Sequence, residues 1–390
     1  MNTSEEASVT SSLRAAPGST RRQILTRAAG ATAAAVLGMP VLAQAKAIRI
    51  GASFDNSGVE KANGSGLFAG SSACINAINK AGGIHGSRIE LVMADDQFKP
   101  DVAKSNALAF NADASVLAML HPLGTRQTAE IMDAVPGLAV VGPNTGTVAL
   151  RKKNAPNTFW VRANYDQEID KLIATAAVLG INKIGIVHSN DPLGQSVLAA
   201  SKASLARHKL EPVVVATTPS TISLEVEPAA AAIAKAAPQV VITGLAGTAP
   251  AFIKAMRKAG GNSTVYGLSI MASSLTPMGD DARGIGFALI VPSPQSTRFE
   301  VVRRYQADME ASGSKQFSLP SLEGYMDACV LVEGLRRAGP APTRAGLMAA
   351  LASIEAFDMG GIKINFGRSN REGNQFVDVA VIGSNGRLVS

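Results

Sequence analysis

Two short stretches carry residue types suited to gripping an anion. Gly124-Thr125 opens a helical pattern, where backbone N–H groups not yet engaged by the helix, together with the helix dipole, favour negative charge. Asn144-Thr145-Gly146-Thr147 brings hydroxyls, an amide and unhindered backbone donors to a turn. Together they suit a carboxylate, although each alone is more often the chemistry of a helix cap or an Asx turn. His121 and His188 both close apolar strand patterns, one in each half of the chain. Two imidazoles do not make a zinc site, and hydrogen bonding accounts for them as well. Gly64-Ser65-Gly66 precedes a helical run as a phosphate loop would, but the acidic residue that completes a dinucleotide site is missing. No G-x-S-x-G elbow, H-E-x-x-H helix or Walker loop occurs. The residues therefore point to binding, with no catalytic residue, cofactor or metal expected.

These loops need elements to hold them. Residues 75–103 read as helix, tight turn, strand, loop and helix: Ile75, Ile78 and Ala81 share a face, Gly82-Gly83 ends the helix, and Pro100-Asp101 opens the next. Strand patterns at 47–53, 89–95, 116–120, 138–141 and 158–162 alternate with helical ones at 66–80, 125–133 and 166–179. The alternation restarts with strands at 183–188, 211–216, 239–243, 264–267 and 286–291, and Asp191-Pro192 caps the helix that runs to Arg207. Two consecutive β-α runs predict an α/β fold of two doubly wound parallel sheets. Ligands bind outside the carboxyl ends of such strands, so the cleft would be lined by loops 121–125, 144–147, 189–194, 245–248 and 269–272. Three late helices (297–311, 320–338, 343–353) precede tail strands at 361–366, 375–382 and 387–389.

The run IN-x-x-GGI-x-G-x-x-I-x-L-x-x-x-DD-x-x-x-P-x-x-A resembles the corresponding stretch of the branched-chain amino acid family of periplasmic solute-binding proteins. The resemblance extends over residues 48–387. It implies a type I periplasmic binding fold: two lobes joined by a three-crossover hinge, closing like a flytrap on a small organic acid or amino acid. A monomeric, non-enzymatic receptor serving the permease subunits of an ABC importer in the inner membrane is the implied role; a ligand sensor docking to a membrane receptor is the alternative. The crossings would fall near Arg162, Pro292 and Asp358, giving one lobe from 46–162 with 293–358 and another from 163–292 with 359–390. The implied ligand contacts are Asn63, His121, Leu123, Gly124, Thr125, Asn144, Thr145, Gly146, Tyr165, Asp191, Leu193, Leu245 and Ser269.

The chain also departs from that family. Pro122 falls where amino acid binders carry a serine that holds the ligand carboxylate. Ser269 falls where they carry an acidic partner for its ammonium, and Leu193 replaces a common aromatic residue. A buried ammonium without a carboxylate costs several kcal/mol, so the expected ligand is a carboxylate with an apolar body. An amino acid remains the alternative if Asp191 or Asp280 supplies the missing charge.

Ahead of all this, Thr20-Arg21-Arg22-Gln23-Ile24-Leu25-Thr26, an uncharged run at 28–42 and Ala43-Gln44-Ala45 read as a cleaved twin-arginine export signal, residues 1–45, with a periplasmic destination. The run is shorter than the about 20 residues of a membrane span. Cleavage would remove four arginines and two glutamates and leave 33 basic against 28 acidic residues. That mild excess, with Arg151-Lys152-Lys153 as its densest run and read as a solvated loop, does not suit a nucleic-acid surface. The two cysteines, Cys74 and Cys329, form no metal or redox motif. Separate buried thiols and a disulfide both fit.

Overall fold

A computed structural model describes residues 47–153, 155–367, 371–384 and 388–389, and of Thr276, Pro277 and Asp280 the backbone alone. The export segment and its cleavage point lie outside the described residues. The first sheet contains β1 (Ile48–Phe54), β2 (Ile89–Asp95), β3 (Val116–Leu120), β4 (Ala139–Val141) and β5 (Thr158–Phe159), with α1 (Lys61–Lys80), α2 (Pro100–Ala112), α3 (Thr125–Ala134) and α4 (Val148–Lys152) between them. It is parallel throughout, in the order β2-β1-β3-β4-β5. Its strands β3 and β4 are apolar and almost wholly buried, as strands covered on both faces must be.

The second sheet follows α5 (Tyr165–Val178). Its strands β6 (Ile184–Ser189), β7 (Val214–Thr218), β8 (Val240–Thr243), β9 (Thr264–Gly267) and β10 (Gly286–Leu289) are joined by α6 (Pro192–Arg207), α7 (Glu227–Ala236), α8 (Ala249–Lys258) and the short α9 (Ala272–Leu275). The chain then forms α10 (Glu300–Ala311), α11 (Leu319–Ala338) and α12 (Arg344–Ala352), a small ladder of β11 (Phe357–Asp358) and β12 (Lys363–Ile364), and finally β13 (Asp378–Ile382) and β14 (Leu388–Val389). The second sheet runs β14-β13-β10-β9-β8-β6-β7 and is not wholly parallel. β13 is antiparallel to β10, and β14 to β13. Helices α11 and α12 lie against the first sheet, α11 also packs along α1, and α10 packs on α1 and α11. The architecture is α/β, with two doubly wound sheets.

Besides those antiparallel strands, three further readings change. Helix α1 begins at Lys61, not at residue 66, so Asn63 and the Gly64-Ser65-Gly66 run lie inside its first turns and not in a loop. Those glycines admit neighbouring backbone: a Cβ on Gly64 would stand 1.9 Å from the Asp55 carbonyl oxygen, and one on Gly66 would meet Pro320. Arg151 is not solvated. It is 1% exposed, lies 4.8 Å above the Trp160 ring and donates to the carbonyls of Arg162 and Ala163 at 3.1 Å each, while Lys152 and Lys153 face water. The third passage between sheets falls after Gly373, not at Asp358. Phe366 meets Phe159 edge to face at 5.3 Å, and the Gly373 N–H donates to the Trp160 carbonyl at 2.9 Å, so the chain stays beside β5 until it leaves for β13.

Candidate functional site

A cavity of about 250 Å³ lies between the loops at the carboxyl ends of the two sheets. On the first side, Gly124 has φ 100°, and a Cβ there would stand 2.4 Å from Gln127 Oε1 and 2.8 Å from the Phe98 ring, so only glycine fits. The loop is zipped to its neighbour: Gly124 N–H donates to the Asn144 carbonyl at 3.3 Å, and Asn144 N–H donates to the Pro122 carbonyl at 2.8 Å. No side chain caps α3, which leaves its first-turn N–H groups to the cavity. Thr125 Oγ1 stands 2.8 Å from Thr145 Oγ1 and 3.0 Å from Thr147 Oγ1, a buried hydroxyl cluster that fixes both loops. Lys99 and Arg126 are exposed in the same wall and add positive charge beside the helix start. Most of the remaining surface is apolar, from Phe98, Pro100, Leu123, Leu193, Ile222, Ala246 and Ile270.

Two carboxylates reach the wall in different states. Asp191 caps α6, accepting from Gly194 N–H at 3.0 Å, Ser189 Oγ at 2.8 Å, Thr221 N–H at 2.6 Å and the Thr221 hydroxyl. Burial would raise its pKa, but those hydrogen bonds outweigh it and hold the group below the usual range. Glu60, just before α1, accepts from Asn63 Nδ2 at 2.5 Å and, across the cleft, from Gly247 N–H at 2.9 Å. Burial dominates there and pushes its pKa up to about 7, despite both bonds. Asn63 also crosses the cleft, donating to the Ile270 carbonyl at 3.4 Å and accepting from Ser273 Oγ at 2.6 Å.

Beneath the cavity lies a buried ion network. Arg162, at the first crossing, donates to Glu168 at 2.8 Å and Ser269 Oγ at 2.6 Å on the second side, and to Glu323 of α11 at 3.3 Å on the first. Ser269 N–H in turn donates to Glu168 at 2.8 Å. Burial works against the Arg162 charge, but Glu323 and Glu168 outweigh it and raise its pKa. Asp327 next to them is driven well above the carboxylate range by burial and then by Glu323.

Of the thirteen residues singled out from the sequence, eight stand in the cavity wall: Asn63, Leu123, Gly124, Thr125, Asn144, Tyr165, Asp191 and Leu193. The other five lie behind it. Thr145 belongs to the hydroxyl cluster, Gly146 packs under the Tyr165 ring, and Leu245 is fully buried. Ser269 is taken by Arg162. His121 is buried with Nε2 3.0 Å from Ser71 Oγ, and burial lowers its pKa to about 4. His188 is held by Ser189 and Thr217 in its own sheet, so the structure does not bring the two imidazoles to one site. The Asp280 side chain lies outside the described residues. Sequence reasoning missed Glu60, Phe98, Lys99, Arg126 and Thr221, whereas Ile270 lies in the 269–272 loop expected to line the cleft. Phe98 and Lys99 sit inside the D-D-x-x-x-P run already singled out, and Glu60 stands three residues before Asn63; both were available signals.

The model of the periplasmic binding protein family matches residues 47–387. An amino acid binding protein of Pseudomonas aeruginosa is 28% identical over 177 residues, 44% of this chain and 46% of that protein. A Leu/Ile/Val-binding protein homolog of Brucella melitensis is 27% identical over 165 residues, 40% of this chain and 43% of that one. The chain thus spans less than half the length of these two relatives in alignment. The crystal structure of a substrate-binding periplasmic protein from Ralstonia solanacearum is 30% identical, with a TM-score of 0.82 over 88% of this chain and 99% of that one. Two doubly wound sheets, a cavity between their loops and a family match over nearly all described residues lead to one conclusion: the chain belongs to the periplasmic binding protein family.

Proposed function

We propose that this protein is an exported solute receptor that closes on a small carboxylate with an apolar body and delivers it to the permease of an ABC importer. The observation that carries the ligand class is the asymmetry of the cavity wall. An uncapped helix start with Lys99 and Arg126 beside it faces a largely apolar surface. The position that would carry an ammonium partner is Ser269, a neutral side chain whose hydroxyl already accepts from the Arg162 guanidinium and so offers an ammonium no negative charge. A specific observation favours an amino acid as the second reading: Glu60 brings a carboxyl to the wall, and the Pseudomonas relative is named for amino acid binding.

Calorimetry with 4-methylpentanoate and leucine separates the two, because they share an aliphatic body and differ in the ammonium. The acid should bind at least about tenfold tighter. Tighter leucine binding that collapses in Glu60→Gln establishes the second reading instead. Export through the twin-arginine route is part of the proposal and rests on Arg21-Arg22. Changing both to lysine keeps the charge but loses the guanidinium geometry, and should stop or reroute export in a fractionation assay. Unchanged export of that variant would remove the twin-arginine assignment.

A further inference from the structure

Outside the cavity, two thiols meet at the crossing of α1 and α11. Cys74 is buried, Cys329 is half-buried, and their Sγ atoms are 3.6 Å apart although 255 positions separate them in sequence. The reason is the closeness of the two helices. A Cβ on Gly70 would stand 1.7 Å from the Ser321 carbonyl oxygen, and one on Gly324 would stand 2.1 Å from that of Leu67, so backbone touches backbone. Cys74 follows Gly70 by one turn of α1, and Cys329 lies about one turn beyond Gly324 on α11. Side chains facing each other across so narrow a crossing fall within the span of a disulfide, whose Cα atoms stand about 4.4–6.8 Å apart.

We infer that Cys74 and Cys329 form a redox site that closes to a disulfide, stapling α1 to α11. The oxidant is a disulfide-bearing molecule. Cys329, the more accessible, loses its proton and attacks one oxidant sulfur, displacing a thiolate that takes up a proton. Cys74 then loses its proton and attacks the Cys329 sulfur of the mixed disulfide, releasing the second thiolate, which is protonated likewise. The protein loses two hydrogens and the oxidant leaves as two thiols. The staple joins the helix that begins beside Glu60 and carries Asn63 to the helix that holds Glu323, so it fixes the first-sheet side of the contacts across the cleft. The inference does not depend on which ligand binds.

The test uses the full chain, first reduced and then treated with oxidised glutathione, denatured, alkylated with iodoacetamide and digested. Mass spectrometry should find the Cys74 and Cys329 peptides joined and unalkylated, and both alkylated once a reductant precedes the alkylation. The oxidised protein should also melt a few degrees higher than the reduced one. In Cys74→Ser the reaction should stop at a glutathione adduct on Cys329; if that variant does not fold, the wild-type peptides decide alone. Full alkylation of both cysteines after oxidation, or a glutathione adduct on wild-type Cys329 without the internal link, overturns the inference.

Discussion

Glu60 accepts one hydrogen bond from its own helix and one from the opposite side of the cleft, and it does so buried. Its pKa in the folded protein, about 7, lies above the ordinary 4.5, so the fold favours the protonated form. Its contribution to stability is therefore complete below about 4.5 and is lost as pH rises through about 7, by up to about 3 kcal/mol. Asp96, raised by burial to about 6, titrates in the same direction, whereas His121 at about 4 works in the opposite one. Urea unfolding of wild type and Glu60→Gln isolates the effect: the variant should gain relative to wild type as pH goes from about 5 to about 8, and a constant difference would refute it. At this scale the sequence was half legible. Gly124, Thr125 and Asn144 announce themselves by helix-start and turn chemistry, while Glu60 and Arg126 are ordinary charged residues until folding brings them to the cavity. Ser269 was singled out as a ligand contact, and only the structure reveals the guanidinium that occupies it.

Among elements, the contact between α1 and α11 makes the sharpest demand on sequence. Gly70 and Gly324 are there because each faces a carbonyl oxygen of the other helix. Gly70→Ala should destabilise the protein by about 1–3 kcal/mol through forced separation of the helices, seen as a lower denaturation midpoint with an unchanged slope. An unchanged midpoint would mean the helices separate without cost. Strands were legible because their periods and apolar runs follow directly from burial on one face or two. The start of α1 was not, since Asn-Gly-Ser-Gly reads as a loop unless a neighbouring backbone requires small residues. Arg151 was misread for a related reason: its charge is balanced by Glu372 at 3.6 Å and covered by Trp160, partners remote or unpredictable in sequence.

For the whole molecule, Arg162 is the residue that ties one sheet to the other beneath the cavity. Glu323→Gln weakens its hold on the first side while leaving Glu168 in place. This variant should open more readily, with a larger radius of gyration without ligand and affinity weakened a few-fold. Ligand should shrink the radius in solution scattering and raise the melting temperature of wild type, because closure on a ligand requires tighter binding by the closed form. A tight ligand that changed neither would rule out closure. The two sheets were legible as two runs of β-α units. The place of the third passage was not, because it depends on Phe366 finding Phe159, a contact no periodicity encodes.

The position of β13 and β14 has a consequence for how the molecule is made. They are the last strands of the chain, yet they cover the β10 edge of the second sheet, while the helices that cover the first sheet are synthesised only after β10. Neither half can finish folding during translation until nearly the whole polypeptide has emerged. From the emergence of α1 until α11 follows, the nascent chain exposes the bare glycine face of α1, and between β10 and β13 it exposes an unpaired strand edge as well, the kind of surface that aggregates unless a chaperone holds it. A gene cut between the sheets would for the same reason leave the first fragment without its covering helices and the second fragment carrying those helices with no sheet of their own to cover.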